Sequence, residues 1–365
     1  MMEYSFIKVE RNASEYMRTP FIEALGWGKC RSHGAAKNAN WGKCPSRMGY
    51  TAKVFTLLAA LGFLLHVFAQ DIFAQSRTEV RCVGVMDRGV MEQPLSYPAH
   101  IYYDAHNDEI YITDSAHSRI VVCNSNYFPV YEFGTSRKSE YIGGMERING
   151  HLSAVTREQS RAGIEVAVFD NAFLPAAPLL LSGYPEVKER AFIPARVVQG
   201  LTGRLYVVSE NGGPVYVFAP NGTFLHLLQP HDTVLGIREA ASVKDVAVDA
   251  NGKLYLLSEE RGRVYVYDGN EIFLFKFGQK GGDRGKLARP RGIAINTGKK
   301  EIYIVDYLRH AVSIYTLQGE FVDEFGGKGV GKGWLYYPSD VAVDQKGHVL
   351  VADTFNHRIQ AFALP

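Results

Sequence analysis

Six times along this chain a short apolar run ends in Asp, Ser or Thr at nearly constant spacing, and no other feature constrains the fold as much. The runs are Ile110–Asp114, Leu152–Thr156, Leu205–Ser209, Leu254–Ser258, Ile302–Asp306 and Val349–Asp353. Their ends at 114, 156, 209, 258, 306 and 353 are separated by 42, 53, 49, 48 and 47 residues. A period in this range, with about four short strands per unit, is what β-propeller blades require. Six ends predict six blades, the second being the poorest match to the others.

The fourth unit shows how a blade reads. Alternation predicts an inner strand from Val243 to Asp249, a second from Lys253 to Ser258, a third from Arg263 to Tyr267 and an outer one from Glu271 to Phe277. Asp249-Ala250-Asn251-Gly252 and Asp344-Gln345-Lys346-Gly347 read as turns. Asp bonds the backbone two residues on, and Gly takes positive φ without steric cost. The turn is the better reading of both Asp residues than a metal ligand. The last unit stops at Pro365, after its third strand, while Thr78 to Val85 belongs to no complete blade. That segment is therefore expected to pair with Arg358 to Phe362 and close the ring, removing two open sheet edges.

Pro338-Ser339-Asp340-Val341-Ala342-Val343-Asp344, Val351-Ala352-Asp353-Thr354-Phe355-Asn356-His357-Arg358-Ile359-Gln360 and Pro290-Arg291-Gly292-Ile293-Ala294-Ile295 carry a family likeness. They resemble NHL repeats, and the resemblance extends over roughly residues 79 to 365, strongest in the last unit. It implies an all-β, six-bladed propeller, in agreement with the blade count from spacing. It also implies a domain type found in sensor kinases, in animal ubiquitin-ligase and RNA-binding proteins, and as lone exported propellers. No kinase, RING or B-box sequence accompanies it here.

Ahead of the propeller, Val54 to Ala69 is an uncharged apolar stretch of 16 residues preceded by Arg47 and Lys53. Basic start, apolar middle and small-residue exit at Ala69 or Ala74 mark a secretory signal, and the stretch is slightly short for a spanning helix of about 20. The chain thus divides into residues 1–47, a basic leader or over-called start ahead of Met48; 48–75, a signal peptide or membrane anchor; and 76–365, the propeller. Residues 1–47 hold eight Lys or Arg and four Asp or Glu, as expected of a segment left in the cytoplasm. Residues 79–365 hold 30 and 33, a faintly acidic balance that argues against a nucleic-acid partner. The basic loop residues Lys280, Arg284, Lys286, Arg289 and Arg291 read as a solvated surface. Cys30-x-x-His33 lacks the further ligands of a zinc site. Whether Cys82 and Cys123 pair depends on a separation that sequence does not give.

Chemistry in a propeller is expected at the mouth of the central channel. The position two residues after the blade-opening Pro aligns as His100, Gly143, Arg196, Asp245, Gly292 and Asp340. Ring order places Asp340 beside His100 and Arg196 beside Asp245. His100, Arg196, Asp245 and Asp340 are therefore the candidate ligand-binding residues. His100, Asp245 and Asp340 are the candidates for a divalent metal, Ca or Zn. Neighbour-to-neighbour ion pairing is the competing and preferred reading. The repeated Asp114/Arg119 and Asp353/Arg358 pairs, with His117, His310 and His357 nearby, suit architecture, since one active site does not need several copies.

Two readings of function follow. The first is an exported binding module or scaffold in a bacterial envelope. Its partner is a protein or an extracellular ligand, its propeller is monomeric, and it touches the membrane only through the N-terminal helix. The second is a metal-dependent lyase or hydrolase at the channel mouth, similar to peptidylamidoglycolate lyase or to the lactonase propellers. For that, the histidines His100, His151, His226, His231 and His310 are scattered over several units, with no motif uniting three of them. Gly278 to Gly285 and Gly326 to Gly333 have the spacing of blade connections, not of phosphate-cradling loops. The first reading is the better supported.

Overall fold

The computed structural model describes residues 80–365 apart from 135–141, 161–162, 186–190 and 235. The basic leader, the apolar stretch 54–69, Cys30, Cys44, Thr78 and Glu79 lie outside the described residues. No helix among the described residues is long and apolar enough to cross a membrane.

Six four-stranded antiparallel sheets form the six blades. In blade four the strands are Asp245–Val248, Leu254–Ser258, Arg263–Tyr267 and Phe273–Phe277. The third strand matches its predicted span, the second begins one residue later, and the inner and outer ones begin two residues later than predicted. Second and third strands are buried on both faces: Leu205–Ser209, Leu254–Ser258 and Val349–Asp353 have no exposed or half-buried residue. Each middle strand is covered by a blade on either side, which is why its apolar residues run continuously instead of alternating. Each fully buried Val, Leu or Ile there contributes roughly 1.5–3 kcal/mol over the exposed state. Tyr111, Tyr206, Tyr255 and Tyr303 share one position and place their rings in the core. Each hydroxyl finds a carboxylate: Glu109 (2.5 Å), Glu271 (3.1 Å), Asp249 (3.2 Å) and Glu301.

The ring closes as the unpaired segment foretold. Arg81–Met86 is the outer strand of blade six, with Arg81 opposite Ala363 and Met86 opposite Ile359. The Asp turns are also as read: Asp249 Oδ1 accepts from the backbone N–H of Asn251 (2.8 Å) and Lys253 (2.9 Å), and Asp344 Oδ1 from His348 (2.8 Å). At the ends of the second strands, Asp114, Asp306 and Asp353 accept backbone N–H groups of Ser96, Ala288 and Tyr336. Asp114 and Asp353 also pair with Arg119 (2.9 Å) and Arg358 (2.8 Å). The repeated Asp thus pins the loops entering blades one, five and six, with Arg joining it in blades one and six, an architectural task.

The turn into the outer strand holds a second device. Its last residue has positive φ, which favours Gly, as at Gly222 and Gly319. Tyr127 (φ 69°), Phe173 (59°) and Glu271 (65°) occupy the same position at a backbone cost. Each reaches back to the preceding blade. The Tyr127 hydroxyl donates to Asp344 (2.8 Å), Phe173 stacks on Tyr131 and Phe133, and Glu271 accepts from Arg204 (2.7 Å) and pairs with His226. A hairpin, His231–Val234 with Ile237–Ala240, is inserted between blades three and four. Asp232 anchors it to Arg263 and Lys276, and these cations lower its carboxyl to about 2 against the opposing effect of burial.

Candidate functional site

The inner strands present their second residue after Pro to the axis for a local reason. The register shifts between Pro98 and His100, between Pro194 and Arg196, and between Pro290 and Gly292. Such a bulge re-aims the side chain that follows it. Gly fills the position where a neighbour needs the space. A Cβ on Gly292 would lie 2.9 Å from Asp340; in blade two, where Ile142 takes the place of Pro opposite Thr156, the position falls to Gly144 and not to Gly143 as aligned from the sequence, and a Cβ there would lie 3.0 Å from the Arg196 side chain.

All four candidate residues converge. His100 Nδ1 stands 3.5 Å from Asp340 Oδ2, a contact without hydrogen-bond geometry. Arg196 Nε is 3.2 Å from Asp245 Oδ1. The neighbour pairs expected from ring order are both present. Arg196 also crosses the axis from blade three to blade six, where its Nη1 donates to Asp340 Oδ1 (2.9 Å) and Oδ2 (3.1 Å). One guanidinium therefore joins two buried carboxylates. Each carboxylate also fixes the next blade: Asp245 Oδ2 accepts from Ile293 N (2.9 Å), and Asp340 Oδ2 from Ile101 N (3.0 Å). Their remaining oxygens accept from Val246 N and Val341 N.

The electrostatics follow from this burial. Burial pushes the Asp245 carboxyl up to about 6, with the Asp340 charge adding to it and Arg196 opposing. Burial acts on Asp340 in the same sense, but Arg196 and His100 outweigh it and hold this carboxyl below its ordinary value. The two carboxylates hold Arg196 firmly protonated. Below them a chamber of about 310 Å³ runs along the inner strands from Arg196 to the turn at Asp249, walled by apolar residues such as Val198, Val248, Ala294 and Val343. Glu146, which the sequence reading did not single out, lines this chamber, and burial raises its carboxyl to about 8. It belongs to the second unit, whose poor match hid its alignment.

The arrangement suits charge pairing better than metal binding. Arg196 occupies the space between Asp245 and Asp340, and the free lone pairs of both carboxylates are directed at backbone N–H groups. Among the described residues no group of three or more His, Cys, Asp or Glu is placed to hold a metal ion. His226 faces Glu271 in the blade-three rim, His310 Nδ1 accepts from Tyr337 N (2.9 Å), and His151 is exposed elsewhere. Cys82 and Cys123 are both free thiols. Cys82 donates to Gln360 Oε1 at 3.3 Å, and burial pushes the Cys123 thiol up to about 12.

Comparison with known proteins bears on the fold. The NHL repeat model matches residues 335–362, which span most of blade six. A protein of unknown function from Bacteroides thetaiotaomicron is similar at TM-score 0.57 and 14% identity, covering 78% of this chain and 76% of its own. An auxiliary nutrient binding protein from the same organism gives 0.55 and 12% over 78% and 76%. One from Bacteroides ovatus gives 0.55 and 15% over 74% and 70%. No curated protein matches the chain. Blade count, ring closure and the matched repeat together identify the chain as a six-bladed β-propeller with an NHL repeat in its closing blade.

Proposed function

We propose that this chain is an exported binding module that recognises its partner through the loop face of the propeller. The observation that carries this reading is the Arg196 bridge. The charged residues at the channel mouth neutralise one another and tie blades one, three, four, five and six together. They form a structural keystone, and no nucleophile or open ligand position stands among them. Recognition then belongs to exposed loop residues such as Trp334 and Phe355, which are 53% and 39% exposed. The nutrient binding proteins of Bacteroides use the same fold. The basic-flanked apolar stretch 54–69 supports export.

Immobilised propeller incubated with an envelope fraction tests the reading. His100→Gln, at the edge of the mouth, is expected to leave the captured species unchanged, while Trp334→Ala reduces capture at least tenfold. Capture abolished by His100→Gln and untouched by Trp334→Ala would place the site in the channel instead.

A further inference from the structure

Below the mouth positions the inner strands form a second ring, because alternate residues of a strand share a face. It consists of Tyr102, Glu146, Val198, Ala247, Ala294 and Ala342, each two residues on from its mouth position. All six line the chamber of about 310 Å³ under the Arg196 bridge. Their sizes are unevenly distributed. Blades four, five and six each contribute Ala, so the space lies on their side of the axis, across from Glu146 of blade two. Gln199, Leu201 and the turn at Asp249 and Ala250 border the far end, where Leu201 is 70% exposed. The chamber therefore opens at the turn end of the inner strands, away from the bridge.

Glu146 is the one carboxyl in this ring, and no side chain among the described residues hydrogen-bonds to it or pairs with it. The Arg147 backbone N–H and the more distant Arg196 favour its charge, and Asp104 opposes it. Neither cation is available as a partner. Arg196 is engaged by Asp245 and Asp340, and Arg147 by Asp104 and the Gly150 carbonyl. Three carboxyls thus stand along the axis against one guanidinium, with His100 at the edge beside Asp340. Tyr102, next to Glu146, supplies no positive charge. Burial is the main cause that raises the Glu146 carboxyl to about 8. A carboxyl without a counter-ion on an apolar wall is a place where a bound cation gains most.

We propose that the chamber binds a small organic ammonium ion, its N–H groups on the Glu146 carboxylate and its apolar body against Val198, Ala247, Ala294 and Ala342. Binding ionises Glu146: its proton leaves to solvent, and the ammonium donates charge-assisted hydrogen bonds in its place. The walls and volume suit a compact apolar body at the small end of ligand pockets. An anion would add a further negative charge to the axis and would find Arg196 already engaged. A metal ion would need several more ligands, and the rest of the ring offers only the Tyr102 hydroxyl. This site is separate from recognition on the loop face and goes beyond it.

Calorimetric titration of the protein at neutral pH with phenethylamine, 2-phenylethanol and phenylacetate, each in two buffers of different ionisation enthalpy, tests the proposal. Phenethylamine is expected to saturate a single site roughly tenfold or more tightly than the alcohol, with phenylacetate weakest. Its binding should release nearly one proton, since Glu146 is protonated beforehand and ionised afterwards. Glu146→Gln keeps the shape of the side chain; it is expected to weaken the amine about tenfold or more, to abolish proton release and to leave the alcohol within about twofold. Ala294→Leu, across the ring from Glu146, fills the space and should weaken amine and alcohol alike. Melting curves report the folding of both variants, and Ala294→Val replaces the Leu variant if that one melts early. No saturable amine binding, equal or tighter binding of the alcohol or phenylacetate, amine binding without proton release, or indifference to Glu146→Gln overturns the proposal.

Discussion

Replacing Arg196 by Met is expected to destabilise the propeller by about 3–5 kcal/mol at neutral pH, the usual cost of removing one partner from a buried ion network. For a domain of this size that lowers the melting temperature by roughly 10 °C or more. The loss arises from Asp245 and Asp340, which stay buried without the guanidinium between them, His100 at 3.5 Å from Asp340 being the remaining partner. The pH dependence identifies the cause. Without the guanidinium both carboxyls rise above their unfolded values, so the variant's deficit is small at low pH, where both are protonated in either state. It grows as pH rises through about 4 and levels off above the raised folded values. Adding Asp245→Asn and Asp340→Asn to Arg196→Met should recover most of the loss at neutral pH. A variant whose deficit is independent of pH, or whose melting matches the wild type, contradicts the bridge.

Deleting residues 76–86 is the other large perturbation. It removes the strand Arg81–Met86, strips blade six of its outer edge and takes Met86 out of the core it shares with Leu95, Ile101 and Ala361. The edge of Arg358–Ala363 is then left with unpaired N–H and C=O groups and a flanking apolar surface, the conditions for edge-to-edge association. Size-exclusion chromatography and thermal melting are expected to show aggregate, or a product melting at least 10 °C lower. A soluble monomer that melts within 2–3 °C of the intact chain would show that closure contributes little.

Much of the architecture was legible because it is local. Asp-x-x-Gly turns, apolar runs of five residues and a missing last strand are written in contiguous residues, and they were enough for blade count and ring closure. The hairpin at 231–240 was not legible, because its anchor Asp232 depends on Arg263 and Lys276, about one blade away in sequence. Three of the four mouth residues follow a Pro by two residues and Asp245 was aligned with them although Val243 stands in the place of Pro, and ring order paired adjacent blades. It could not show Arg196 reaching across the axis to Asp340, since that contact depends on the channel's width. Tyr127 and Glu271 escaped notice for a related reason: a turn position that favours Gly gives no sign that its substitute reaches back to the preceding blade.

Metal content together with melting is the most direct test of the claim that Arg196 is the cation at the mouth. Purified propeller would be assayed for bound elements, and wild type and Asp340→Ala would be melted with and without chelator. The bridge predicts no stoichiometric Ca or Zn, a wild-type melting temperature indifferent to chelator, and a lower one in Asp340→Ala whether or not chelator is present. One metal ion per chain, whose removal lowers the melting temperature of the wild type but not of Asp340→Ala, would contradict the bridge and favour a metal-dependent lyase or hydrolase.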